Sequence, residues 1–259
     1  LRDGDEPQQV QQPGAGPEEG DRRQLRPEHL GLAGPVRGKL LLEIGLTERS
    51  VVASGTAELL KVQANIQAPA ITLQDLTGLV HFRNEQLSGE QLQFTWQGLT
   101  AGGSFVGEQH NAEYQLKIAL DGQAQASELT ASFAADTGKL VEGSLDWQLQ
   151  LALALPQNGF SYQAELNAQL EQLALHLPAP YQKAITEPAA LQLVAHGNAE
   201  QSYITAAYPQ LLHFQAELPH STGRINRAQL SLGAADPGLS SKGFNIDVDL
   251  AQIELMPWL

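Results

Sequence analysis

In GSLDWQLQLALALPQNGFSYQAELNAQL, residues 143–170, large apolar side chains return at every second position. Leu145, Trp147, Leu149, Leu151, Leu153 and Leu155 hold odd positions, with Asp146, Gln148, Gln150, Ala152 and Ala154 between them. After the break at Pro156-Gln157-Asn158-Gly159 the apolar set moves to even positions: Phe160, Tyr162, Ala164, Leu166, Ala168 and Leu170. Successive side chains of a strand point to opposite faces. The pattern therefore predicts two long strands, each apolar on one face and polar on the other, joined at Asn158-Gly159. The apolar parity changes again at Leu173, Leu175 and Leu177. Keeping one face buried across that change needs an extra residue, which predicts a bulge near Glu171-Gln172.

The same period of two runs outward in both directions. Leu40, Leu42, Ile44 and Leu46 share a parity, as do Val62, Ala64 and Ile66, and Leu92, Phe94 and Trp96. Tyr114, Leu116, Ile118 and Leu120 alternate with Gln115, Lys117 and Asp121. Further on, Leu212, Phe214, Ala216 and Leu218 form a set, then Ala228, Leu230 and Leu232, then Phe244, Ile246, Val248 and Leu250. Gly, Asn, Asp and Pro occupy the breaks, for example at Asn84-Glu85, as turns demand. The expected fold is mostly β: a long, strongly twisted antiparallel sheet of about a dozen strands with one apolar face. Helical signal is confined to PYQKAITEPAAL, residues 180–191, where Pro180 suits a first helical position and Pro188 limits the run. SGTAELLKVQ, residues 54–63, reads equally as short helix or strand. Residues 1–35 are rich in Pro, Gly, Gln and Glu and poor in large apolar groups, which predicts a flexible polar linker or loop ahead of a β segment over 36–259.

Composition removes several function classes. The chain has 259 residues and a formal charge of −14, from 15 basic and 29 acidic side chains. Nucleic acid is excluded as a partner by the lack of clustered Lys and Arg, and an anionic membrane surface is disfavoured for the same reason. There is no cysteine, hence no disulfide, thiolate metal site or cysteine nucleophile. No apolar run reaches the length of a spanning helix, and the first residues do not form a signal peptide. The chain reads as a piece of something longer.

Catalytic constellations are absent. The seven histidines, His29, His81, His110, His176, His196, His213 and His220, contain no pair at metal-binding spacing, so no metal site and no cofactor is expected. Ser144, Asp146 and His176 supply the residue types of a triad, but Ser144 lacks a nucleophile elbow and merely opens a strand. GLTAGGSFVG, residues 98–107, has neither a Lys-Ser/Thr end nor a following helix, and its glycines read as turn glycines rather than a phosphate cradle. Asp247 and Asp249 share a strand face and read as solvated.

What remains to explain is the apolar face. Two sheets could pack as a sandwich, a sheet could close into a barrel, or it could curl into an open trough lined by Leu and Ala and occupied by something other than protein. A membrane barrel is disfavoured because aromatics are only 6% of the chain and are not banded. Residues 145–155 extend roughly 36 Å at about 3.3 Å per residue, long for a sandwich strand.

Two segments carry a resemblance. GSLDWQLQLAL and LEQLALHLPAPYQKAITEPAALQL, with Asp146-Trp147, Leu177-Pro178-Ala179-Pro180, Lys183 and Glu187-Pro188, resemble the AsmA-like family of Gram-negative envelope proteins. The end, RAQLSLGAADPGLSSKGFNIDVDLAQIELMPWL, is similar in style, although Met256 departs from the acidic residue common before the terminal Trp. The resemblance covers about residues 55–259. It implies a repeating β-groove with an apolar concave face, part of an inner-membrane-anchored, periplasm-spanning, bridge-like lipid-transfer protein. Such a protein shields phospholipid acyl chains on their way to the outer membrane. It also implies no catalytic residues and membrane contact only through parts outside this chain. On this reading the lining is Leu116, Ile118, Leu120, Leu145, Trp147, Leu149, Leu151, Leu153, Leu155, Phe160, Tyr162, Leu166 and Leu170. A closed β-sandwich module without lipid cargo is the competing expectation.

Overall fold

The computed structural model describes residues 30–47, 50–67, 70–131, 140–177, 179–208, 211–233, 238–239 and 242–249. They form one fifteen-stranded open sheet. Its strands are β1 (Leu30–Ala33), β2 (Val36–Gly45), β3 (Ser50–Gln67), β4 (Ala70–Arg83), β5 (Gln86–Trp96), β6 (Leu99–His110), β7 (Glu113–Gln125), β8 (Val141–Leu155), β9 (Ser161–Gln169), β10 (Leu173–Leu175), β11 (Ala190–Asn198), β12 (Gln201–Tyr208), β13 (Leu212–Pro219), β14 (Arg227–Gly233) and β15 (Gly243–Asp249). The one helix among the described residues is α1 (Ala126–Ala131), a short turn between β7 and β8. From β3 to β9 the strands pair in chain order, and the ladder continues β9-β11-β12-β13-β14-β15. β1 and β2 both pair with β3 on its other side, and β10 pairs with the start of β8. The first and last strands do not meet, so the sheet is neither a barrel nor a sandwich among the described residues.

Local chemistry accounts for the meander. Asn84, Gln97 and Asn111 adopt positive φ in the two-residue connections after β4, β5 and β6, the conformation tight hairpins require. Asn84 Oδ1 also accepts the Ala53 amide, tying the β4–β5 turn to β3. The β8–β9 connection passes through Gly159 at φ 79°, as the Asn158-Gly159 pair predicts.

Curvature has its own device. Lys61, Asp75 and Gln91, on three adjacent strands, are all left-handed, and the pairing register shifts beside each. Each bulge adds one residue and reverses parity. The apolar set therefore runs Leu59 to Val62 on β3, Leu73 to Leu76 on β4 and Gly89 to Leu92 on β5 without leaving its face. Leu59, Val62, Ala64, Leu76, Leu92, Phe94 and Ala101 are buried together, with Leu120 and Trp147 packed against them from β7 and β8. No second layer covers this face in the described sheet, so burial there comes from a sheet curled toward its apolar side.

A second cluster closes one end of the trough. Ala126, Ala168, Leu170 and Leu173 are buried, with Val141, Leu145, Trp147, Leu175, Leu191 and Tyr208 against them. Several expectations are corrected here. The bulge expected near Glu171-Gln172 is not among them: Asp146 pairs with Gln169 and Gly143 with Leu173, so β10 continues β9 along β8 with one extra residue between them. The inserted residue keeps Leu170 and Leu173 on one buried face across the parity change. Residues 180–191 do not form a helix. They loop back so that Lys183 bridges Leu175, before β11 starts at Ala190. Lys183, only 4% exposed, donates its ammonium hydrogens to the carbonyls of Leu173 (2.8 Å) and Ala184 (3.0 Å), and these bonds hold the loop shut. The 54–63 stretch is strand, within β3. Residues 1–29 of the expected linker lie outside the described residues, whereas Leu30–Ala33 pair with Gln63–Ile66 of β3, so the sheet begins before residue 36. The last strand departs from the antiparallel rule, since β15 runs parallel to β14 after a crossover from the far end.

Candidate functional site

Paired residues in a ladder point to the same face, so the registers can be followed across the whole sheet. One transverse row reads Gly38, Ala57, Val80, Gly89, Phe105, Ile118, Leu151, Ala164, Ala195, Ile204, Ala216, Ala228 and Phe244, from β2 to β15. No polar side chain interrupts it. A parallel row runs Gly103, Leu120, Leu149, Leu166, Leu193, Ala206, Phe214, Leu230 and Ile246. At an inter-strand spacing of about 4.8 Å, the first row is a continuous apolar path of about 58 Å.

The neighbouring row on the opposite face is polar. Lys117, Ala152, Gln163 and His196 stand in line there, and two shallow depressions of about 510 and 440 Å³ lie mainly against this side. Nothing convergent is built in either depression. The residue types that suggested a triad are also dispersed. Ser144 Oγ bonds Gln172 Oε1, Asp146 accepts from Gln123, and His176 pairs with Glu142. Among the described residues no group of three His, Cys, Asp or Glu side chains could hold a metal, and no helix is long and apolar enough to cross a membrane.

The thirteen expected lining residues separate into three situations. Leu116, Ile118, Leu120, Leu149, Leu151, Leu153, Leu155, Tyr162 and Leu166 share the apolar face and are half-buried with no layer above them. Leu145, Trp147 and Leu170 stand at the closed end. There Leu170 is buried and the other two pack against the buried clusters. Phe160 precedes β9 and is exposed, its ring 6.4 Å from that of Tyr162. The sequence reading ends the lining at β9: it marks Phe214 and Leu230 as members of apolar strand faces without counting them as lining, and the alternation at Leu193, Ala195 and Ile204 carried the same signal unread.

It also misread the glycines. Gly98 is a turn glycine, but Gly103 and Gly107 lie inside β6. On the apolar face each of several glycines sits beneath a large side chain of the next strand. Phe82 covers Gly55, Leu92 covers Gly78, Phe105 covers Gly89, Tyr114 covers Gly107 and Trp147 covers Gly122. A Cβ at Gly122 would stand 2.8 Å from the indole, and one at Gly78 would stand 2.7 Å from Leu92 Cδ2. Glycine lets the covering side chain lie flat on the backbone, which keeps the β3–β8 half of the trough smooth. In the other half Ala164, Ala195, Ala216 and Ala228 do the same by being small. Burial pushes the Tyr114 phenol above its ordinary value, so it stays neutral on this face.

Among the described residues the path is exposed where it reaches the edge strands. Leu40, Leu42 and Ile44 on β2, and Phe244, Ile246 and Val248 on β15, are all more than half exposed.

Residues 24–259 match the family described as "YhdP protein". The chain is 28% identical over 190 residues to the "Intermembrane phospholipid transporter YhdP" of Escherichia coli (strain K12), a match covering 73% of this chain and 15% of that protein. The chain thus spans a small part of the length of the relative it matches. No solved structure matches it.

Proposed function

Because the chain belongs to the YhdP protein family, we propose that it is a groove segment of a periplasmic, bridge-like lipid-transfer protein. Phospholipid acyl chains lie on the apolar face and the headgroup stays in water at the lip. The observation that carries this reading is the uninterrupted apolar row from Gly38 to Phe244, which no second layer of described strands covers. Each acyl methylene removed from water contributes about 0.8 kcal/mol. Successive rungs offer similar Leu, Ala and Gly surfaces, so a chain moved by one strand exchanges one set of contacts for an equivalent one. That arrangement favours sliding over a single tight site. The relative's printed name, an intermembrane phospholipid transporter, supports phospholipid as the cargo. No catalytic step is assigned, and membrane contact falls to parts of the full-length protein outside this chain.

The test is site-specific photo-crosslinking in the full-length protein in cells. A photoreactive residue at Leu151 or Leu193 is expected to capture phospholipid, whereas one at Gln150, on the opposite face, captures none. Absence of adducts at both apolar positions, with the protein folded, overturns the reading.

A further inference from the structure

The third transverse row, Leu87, Gly107, Leu116, Leu153, Tyr162, Gly197, Ser202 and Leu218, is where polar atoms join the apolar face. Tyr162 is the second residue of β9 and Ser202 the second of β12, which puts both at one rim of the trough. The Tyr162 hydroxyl crosses β11 above Gly197 and hydrogen-bonds Ser202 Oγ. Gly197 lies beneath the crossing, and a Cβ there would overlap the Gln201 carbonyl oxygen and crowd Ser202 Oγ at 3.1 Å. Ser202 is 5% exposed, and its Oγ lies 2.8 Å from His220 Nε2. His220 Nδ1 lies 3.1 Å from the Ala199 carbonyl.

The directions of these bonds follow from the acceptor at the end. A backbone carbonyl only accepts, so Nδ1 carries the imidazole proton and Nε2 of the neutral ring accepts from the Ser202 hydroxyl. Ser202 has then used its one hydrogen, and Tyr162 donates to Ser202. His220 and Ser202 are held by protein partners. The Tyr162 hydrogen is the one member of the chain that can change acceptor without orphaning a donor, because Ser202 keeps its bond to His220.

We propose that Tyr162, held on Ser202 while the groove is empty, is a rim subsite that turns its hydroxyl to donate to an ester carbonyl of a glycerophospholipid whose chains lie over Leu151 and Leu153. This rests on the groove reading above. The subsite is a neutral donor at the boundary between apolar floor and water, which is the depth at which the glycerol esters of a lipid lie when its chains are on the floor and its headgroup is in solvent. No Lys or Arg stands in the three apolar rows, so a neutral carbonyl suits the subsite better than a phosphate. Tyr162 would set the depth of the lipid while the floor stays indifferent to its position along the path.

The experiment incubates the chain with vesicles of diester phosphatidylethanolamine and phosphatidylglycerol, and separately with diether lipids of the same headgroups. Retained lipid is quantified by mass spectrometry after re-isolation, and binding of the hydrocarbon fluorophore diphenylhexatriene is measured in parallel. Wild-type protein is expected to retain the diester lipid about twofold to threefold better than the diether, the low end of what one hydrogen bond supplies, because the Tyr162 hydrogen exchanges one acceptor for another. Tyr162→Phe should bring that ratio to about one by the same reasoning, with diphenylhexatriene binding unchanged. Ser202→Ala removes the acceptor that competes for the Tyr162 hydrogen and should leave the ratio at or above the wild-type value. A wild-type ratio of one, or a Tyr162→Phe variant that loses both lipids and the fluorophore equally, overturns the subsite and leaves the groove reading standing. Wild-type protein that retains neither lipid nor fluorophore overturns both.

Discussion

The two ends of β8 carry one alternating pattern and meet two fates. At Leu145 and Trp147 the apolar face is closed by Leu170, Leu173 and Ala126, and Trp147 also touches the cluster built on Val62 and Phe94. From Leu149 to Leu155 the same face continues with no second layer, and these four leucines belong to neither cluster. One end of the strand is core and the other is open floor. The teaching is energetic: a charge placed at the closed end must be desolvated, whereas a charge on the open floor keeps its water.

The largest expected effect breaks this comparison if it fails. Leu170→Asp should unfold the domain, costing more than about 4 kcal/mol from cavity formation and an unpaired buried carboxylate. Leu151→Asp should leave circular dichroism and the unfolding midpoint near wild type while abolishing lipid retention. Equal destabilisation of the two variants would mean that the floor is ordinary core.

Next in size is the glycine paving. Gly89→Val would overlap the Phe105 ring and is expected to cost about 3 kcal/mol in urea unfolding. The matched change in the alanine-paved half, Ala164→Val, lies on the open face and should cost less than about 1 kcal/mol. A smaller effect is expected of Lys183→Met, which leaves the carbonyls of Leu173 and Ala184 without their donor, for a loss of about 1–3 kcal/mol. Hydrogen exchange should accelerate in residues 170–189 and remain unchanged in β4–β6.

The smallest effect concerns the polar face. Hydrogen bonds from Arg227 and Asn226, then the Arg227 charge, hold the Glu217 carboxyl below its ordinary value against the opposing effect of burial. A carboxylate whose folded pKa is depressed stabilises the fold above its unfolded pKa. That contribution is lost as pH falls through the folded value. Glu217→Gln should therefore be less stable than wild type at neutral pH, with the difference shrinking below the ordinary carboxylate range. A gap that stays constant with pH would assign the effect to packing instead.

Much of this was legible in advance because period two is a geometric property of a strand. The alternation in residues 143–170 placed Leu149, Leu151, Leu153, Tyr162 and Leu166 on one face, and registers such as Leu151 with Ala164 confirm the shared side. The glycines of β6 were illegible because a glycine read alone signals a turn, and only Tyr114 and Leu120 lying above Gly107 and Gly103 reveal paving. The bulge at Glu171-Gln172 was legible, because holding Leu170 and Leu173 on one buried face requires one extra residue.

By itself the sequence determined that this protein is a β-sheet with one wet and one apolar face, since side-chain direction follows from the backbone of each strand alone. Which stretches of the apolar face become core, which stay open, and that Tyr162 reaches Ser202 across Gly197 were decided by tertiary structure. Those properties depend on curvature and on what lies one and two strands away, and strand-local alternation carries no information about either.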